Sequence, residues 1–133
     1  MPVTGLFDRT FGLLEKVLDL RLQNQKVISS NIANADTPGY APARLEFEEG
    51  LQRYMAQGPQ VMARTDAAHL APGGAVEARV VRERGLSAVG DGNGVELERE
   101  MLDLAENQIL YEATTQMINK KLGLLKYVAQ DGR

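Results

Sequence analysis

Ser30-Asn31-Ile32-Ala33-Asn34-Ala35-Asp36-Thr37-Pro38-Gly39-Tyr40 is where an amphipathic pattern stops and the chain is made to turn. Asn34 suits the left-handed position that ends a helix, because its short polar side chain tolerates positive φ. Thr37 precedes a proline and is pushed towards extended geometry. Pro38-Gly39 fits the two central positions of a type II turn, proline fixing the first φ and glycine supplying a positive second one. Tyr40 follows as an anchor that buries a ring and needs a partner for its hydroxyl. These residues predict a helix terminus with a sharp exit.

Upstream of that exit, Phe7, Phe11, Leu14, Leu18, Arg21, Gln25, Ile28 and Ile32 alternate in steps of four and three, the spacing of a coiled-coil seam. Leu13, Val17, Leu20 and Val27 make a second stripe beside it, so this helix needs more than one neighbour. Arg21 and Gln25 interrupt the seam, at a polar layer or at the edge of the contact. One helix is predicted over residues 1–36.

Downstream, Leu45, Phe47, Leu51 and Met55 predict a short amphipathic helix over 44–56, ended by Gly58-Pro59. Residues 58–94 are rich in glycine and lack a helical period, which makes them a connector; Ala75 to Glu83 alternates loosely and suits a strand or hairpin arm, with Val76, Ala78 and Val80 on one side. The last pattern is Leu97, Met101, Leu104, Gln108, Tyr111, Thr115, Ile118, Leu122, Leu125 and Ala129, again in fours and threes. Asn93 serves as N-cap, Glu96, Glu98 and Glu100 complement the helix dipole on a solvated face, and Lys120, Lys121 and Lys126 do so at the other end.

The expected fold is therefore mainly α: two long terminal helices form an antiparallel coiled-coil-like pair, with a short helix and a loop- or β-rich insert between them. A chain of 133 residues makes one domain, 1–133, divided into the helix 1–36, the turn, short helix and insert 37–94, and the helix 95–133.

Little in the composition invites chemistry. The formal charge is −3 and the basic residues are dispersed, which argues against nucleic acid as a partner. There is no cysteine, and the single histidine, His69, has no second histidine with which to hold a metal. Gly90, Gly92 and Gly94 lack the strand and the Gly-Lys-Ser or Gly-Lys-Thr of a phosphate loop. No catalytic, cofactor-binding or metal-binding residue is assigned, no small-molecule substrate is expected, and an enzyme is not. The N-terminal residues carry no cleavable secretory signal and no apolar run approaches a membrane span.

The wording of the opening stretch goes further than its turn geometry. Asn31, Asn34, Thr37, Pro38, Gly39 and Tyr40, in Ser30-Asn31-Ile32-Ala33-Asn34 followed by Thr37-Pro38-Gly39-Tyr40, resemble the signature of bacterial flagellar rod and hook proteins. The C-terminal pattern with Asp91-Gly92-Asn93, Val95, Leu97, Glu100-Met101, Leu104, Asn107 and Tyr111, together with Thr65 and His69-Leu70, is similar to the proximal-rod B-type subunits of that family. The resemblance implies a structural subunit of the proximal rod of the flagellar basal body, assembling into the drive-shaft tube through its terminal helices. It implies that Leu97, Met101, Leu104, Tyr111, Ile118, Leu122 and Leu125 form the assembly seam. It implies export by the flagellum's own type III apparatus without a cleavable signal peptide, and a place in the periplasmic rod. The implied partners are other rod subunits with self-association in the rod, the membrane ring and rod adaptor, and the export gate. Phe47 and Leu51, four residues apart, resemble the apolar motif with which early flagellar substrates engage that gate. A soluble helical adaptor or chaperone of a type III secretion system is the alternative. It accounts for the seams but not for the Asn31–Tyr40 wording, and it would stay in the cytoplasm whether or not export is blocked.

Overall fold

The computed structural model describes residues 3–56, 76–83 and 95–131, with the side chains of 3–8 and 131 left aside. Helix α1 runs Val3–Ala33, strand β1 Ala43–Glu46, helix α2 Glu48–Ala56, strand β2 Arg79–Arg82 and helix α3 Leu97–Asp131. His69, the Gly58-Pro59 stop, the glycines at 90, 92 and 94 and the Asn93 cap lie outside the described residues.

The two long helices pack together and are antiparallel: Asn31 of α1 bonds Glu100 of α3, and Asn24 bonds Asn107. Numbers fall along one helix as they rise along the other. The mainly α architecture follows the heptad spacing of the sequence, with part of the apolar surface of each long helix covered by the other.

Between the helices the chain differs from the helical expectation for 44–56. Residues 43–46 are a strand, paired antiparallel to β2 in the register Ala43↔Arg82, Arg44↔Val81, Leu45↔Val80 and Glu46↔Arg79. A strand wins because partners outside the segment supply the backbone bonds that a helix would make internally. The β2 ladder lies on one edge, Glu83 N–H donates to the Pro42 carbonyl at 2.9 Å, and an Asn31 amide lies on the other edge. Helix α2 starts only at Glu48, with Glu48 and Glu49 in its first turn and Arg53 in its last, the arrangement the dipole favours. Gly50 is where α2 meets the chain before β2. A Cβ there would come within 2.4 Å of the Glu77 carbonyl oxygen, closer than any side chain can stand. In β2 the partly covered residue is Val81, while Val80 is 56% exposed.

The buried set is small and mixed. Among the described residues Leu20, Ile28, Pro42, Ala43, Phe47 and Val95 are its apolar members; Asn31, Glu100, Asn107 and Thr114 are its polar ones. A large share of this buried set is thus polar, and its position identifies the site.

Candidate functional site

The site is built on the exit from α1. The last turn of α1 closes with Asn34 N–H on the Ser30 carbonyl at 3.1 Å, and the Asn34 side-chain amide donates to the same oxygen at 2.8 Å. Asn34 does not take the left-handed conformation, since no non-glycine among the described residues has positive φ. Its side chain bonds backwards along the helix instead, and the reversal passes to Gly39. There φ is +75°, and Tyr40 N–H closes on the Thr37 carbonyl at 3.3 Å, as the Thr-Pro-Gly order requires. Thr37 adds a bond from its hydroxyl to Asn34 Oδ1.

This reversal brings the chain back alongside α1, and Asn31 meets it. Asn31 is fully buried and all of its hydrogen-bonding capacity is used. Its Nδ2 donates to the Ala43 carbonyl at 2.8 Å and to Glu100 Oε2 at 3.0 Å. Its Oδ1 accepts from Ala43 N–H at 2.9 Å and from the Tyr40 hydroxyl at 3.4 Å. Towards Ala43 the amide does what a neighbouring strand would do: it donates to one backbone carbonyl and accepts from the N–H of the same residue. Tyr40 finds the hydroxyl partners it needs, Asn31 and Ser30, while Arg82 lies over its ring at 5.8 Å.

Glu100 is 2% exposed, which corrects its assignment to a solvated face. Two partners hold it there: Asn31, and Arg44 at 3.4 Å. Arg44 also pairs with Asp103 at 3.1 Å and with Glu83. Partial burial works against the Arg44 charge, but the bonds to Glu83 and Asp103 and the nearby Glu100 outweigh it and raise its pKa. A buried carboxylate is costly without such partners, and removing one from a buried pair costs on the order of 3–5 kcal/mol.

A second polar layer lies one heptad away. Asn24 Nδ2 donates to Asn107 Oδ1 at 3.1 Å, and Asn107 Nδ2 donates to the Arg21 carbonyl at 2.8 Å. The interruption of the α1 seam is therefore a polar layer, although Asn24 rather than Gln25 contributes the side chain. Beside it the Arg21 guanidinium lies over the Phe47 ring at 5.0 Å. An open groove of about 670 Å³ borders both layers, lined by Arg21, Asn24, Phe47, Arg44, Asp103 and Asn107 among others. Among the described residues no group of histidines, cysteines and carboxylates is placed to hold a metal.

The six signature residues are brought together by this turn. Asn31 reaches across the molecule, Tyr40 bonds it, Asn34 and Thr37 bond each other, and Pro38 and Gly39 form the exposed tip. The helix residues divide. Leu104, Tyr111, Ile118 and Leu125 are partly covered, whereas Leu97, Met101 and Leu122 are roughly half exposed. Phe47 is buried at 4% exposure and Leu51 is partly covered, one turn further on. Glu100, Asn107, Arg44 and Ala43 are the residues that sequence reasoning did not assign to the site. The signal available was a heptad step, since Glu100, Asn107 and Thr114 repeat every seven residues beside the apolar line.

Comparison with known proteins bears on the same residues. The model of the flagella basal body rod protein family matches residues 18–40, the second half of α1 and its exit turn. Flagellar basal body rod protein FlgB of Aeromonas hydrophila is 33% identical over 122 residues, covering 90% of this chain and 92% of that protein. The FlgB of Bacillus subtilis is 33% identical over 130 residues, covering 97% and 99% respectively. That of Escherichia coli is 28% identical over 136 residues, covering 94% and 96%. The similarity extends over nearly the whole of each chain, and the stretch matched by the family model includes the turn on which the site is built. The chain therefore belongs to the flagellar basal-body rod protein family, as an FlgB-type structural subunit of the proximal rod.

Proposed function

We propose that the subunit enters the rod through its terminal helices, with the outward apolar residues of α3 covered by neighbouring rod subunits, copies of this chain included. The observation that carries this reading is the amount of apolar side chain left on α3. Leu97, Met101, Leu102, Ile109, Met117, Leu122, Leu124, Tyr127 and Val128 are all well exposed along one helix. Patches of this extent on a lone soluble subunit are rare and mark interaction surfaces. At the base of the rod the membrane ring, its adaptor and the export gate are the further partners. The subunit reaches the periplasmic rod by the flagellar type III route without a cleaved signal, and Phe47 with Leu51 engages the gate on the way. Its role is mechanical, with no catalysis.

Cell fractionation tests the reading. In export-competent cells the wild-type subunit is recovered with basal bodies, and in cells with flagellar export blocked it is retained in the cytoplasm. Met117→Asp, which puts a charge on the outward face, leaves export intact and removes the subunit from basal bodies. A cytoplasmic location that is indifferent to the export block would favour the adaptor alternative. Normal incorporation of Met117→Asp would show that this face is not covered.

A further inference from the structure

Apolar burial alone does not explain how α3 is turned. The line Leu97, Met101, Leu104, Tyr111, Ile118, Leu122 and Leu125 is the more apolar face. The structure instead turns Glu100, Asn107 and Thr114 inward and leaves Met101 56% and Leu122 51% exposed. The two faces share Leu104, Tyr111, Ile118 and Leu125, so they differ by a rotation of about half a residue step, roughly 50°. Something directional must favour the polar setting, and the hydrogen bonds of the two layers are directional.

We propose that Asn24–Asn107 and Asn31–Glu100 are a lock on both the rotation and the axial register of α3, holding its apolar faces outward. For the purpose of those outward faces the proposal rests on the rod reading; the lock itself does not. The layers are seven residues apart on both helices, and each pair is bonded. A slide of one heptad in one direction sets Asn24 against Glu100 but turns Asn107 towards Val17. A slide the other way sets Asn31 against Asn107 but carries Glu100 past the end of α1. Each slip strips a buried polar group of its partner, which is disfavoured far more than the loss of an equivalent apolar contact. Single buried polar residues fix register in paired helices for the same reason, at some cost in stability. Here Asn31 and Glu100 are also tied to Ala43 and Arg44, so the lock fixes the strand against both helices.

The absence of cysteine makes a direct test possible, because introduced thiols have no background. In the full chain, Val17→Cys with Thr114→Cys reports the native register, one heptad beyond the Asn24 layer, and Val17→Cys with Lys121→Cys reports the slid one. A third variant, Met101→Cys, reports rotation through its rate of maleimide labelling. Each is made in the wild-type background and in Asn24→Leu/Asn107→Leu. The wild-type background should cross-link the native pair at least tenfold faster than the slid pair and label Met101→Cys rapidly. The Leu double variant, which keeps the Asn31–Glu100 layer, should keep its helix content by circular dichroism, cross-link the slid pair several-fold faster than the wild-type background does and label Met101→Cys several-fold more slowly. Native cross-links alone with unchanged labelling in the Leu variant would overturn the proposal. Loss of helix content would overturn it too, by assigning the layer to stability. If the thiols behave as expected while the wild-type subunit is missing from basal bodies, the lock stands and the rod reading of its outward faces fails.

Discussion

At the scale of single residues, the molecule depends on Asn31. A leucine or alanine at the end of α1 would fit the helical pattern as well, but neither could satisfy Ala43 and Glu100 together. In Asn31→Ala the Ala43 N–H and carbonyl and one oxygen of Glu100 lose a partner within a buried site. At about 1–3 kcal/mol for each buried group left unmade, the expected loss is about 3 kcal/mol or more. That is a large share of the roughly 5–15 kcal/mol by which domains are stable. Asn34→Ala removes bonds made within its own turn at a more exposed position, and should cost about 1 kcal/mol. Urea denaturation of the two variants checks the contrast, and equal midpoint shifts would show that Asn31 carries no special burden.

The elements differ in how far their own residues determine them, and α2 shows the limit. Phe47 is under the Arg21 guanidinium and Leu51 packs one turn on, so in the closed subunit this pair is not free to meet another protein. On the proposed export reading, engagement of a gate therefore belongs to a chain whose α2 has not yet docked. The expected result for Phe47→Ala with Leu51→Ala is normal expression and lost secretion, while Leu45→Ala with Met55→Ala is secreted nearly normally. Secretion of the first variant at the wild-type rate, combined with failure to assemble, would make the pair structural only. The two long helices were legible because periodicity is a local property that repeats for thirty residues. Gly39 was legible because Thr-Pro-Gly leaves few other conformations. Strand β1 was not: its ladder partner begins at Arg79, and its other edge is covered by a side chain from α1. Glu100 was misread for the same reason. Next to Glu96 and Glu98 it looks like any acid in a first helical turn, and its burial is decided by Arg44 and Asn31, which are remote in sequence.

At the scale of the whole molecule, order is concentrated at one end of the helical pair. The polar layers, the turn, both strands and the start of α3 meet there, while the second half of α3 is mostly exposed. Amide hydrogen exchange on the free subunit should follow that gradient. Protection is expected to be strongest at Ile28–Asn31, Ala43–Phe47 and Glu100–Asn107, and weakest in α3 beyond Thr115, with incorporation into rods raising the latter. Uniform protection along α3 in the dilute subunit would contradict this. Time enters through the same bonds. The link from Asn31 to Glu100 joins residues 69 apart in sequence. A chain that emerges amino end first, from a ribosome or through a narrow channel, has all of α1 in hand long before its mate exists. Only after 100 of its 133 residues have appeared can Asn31 find its carboxylate. The first helix is therefore completed only once the start of α3 has arrived, and the subunit closes late.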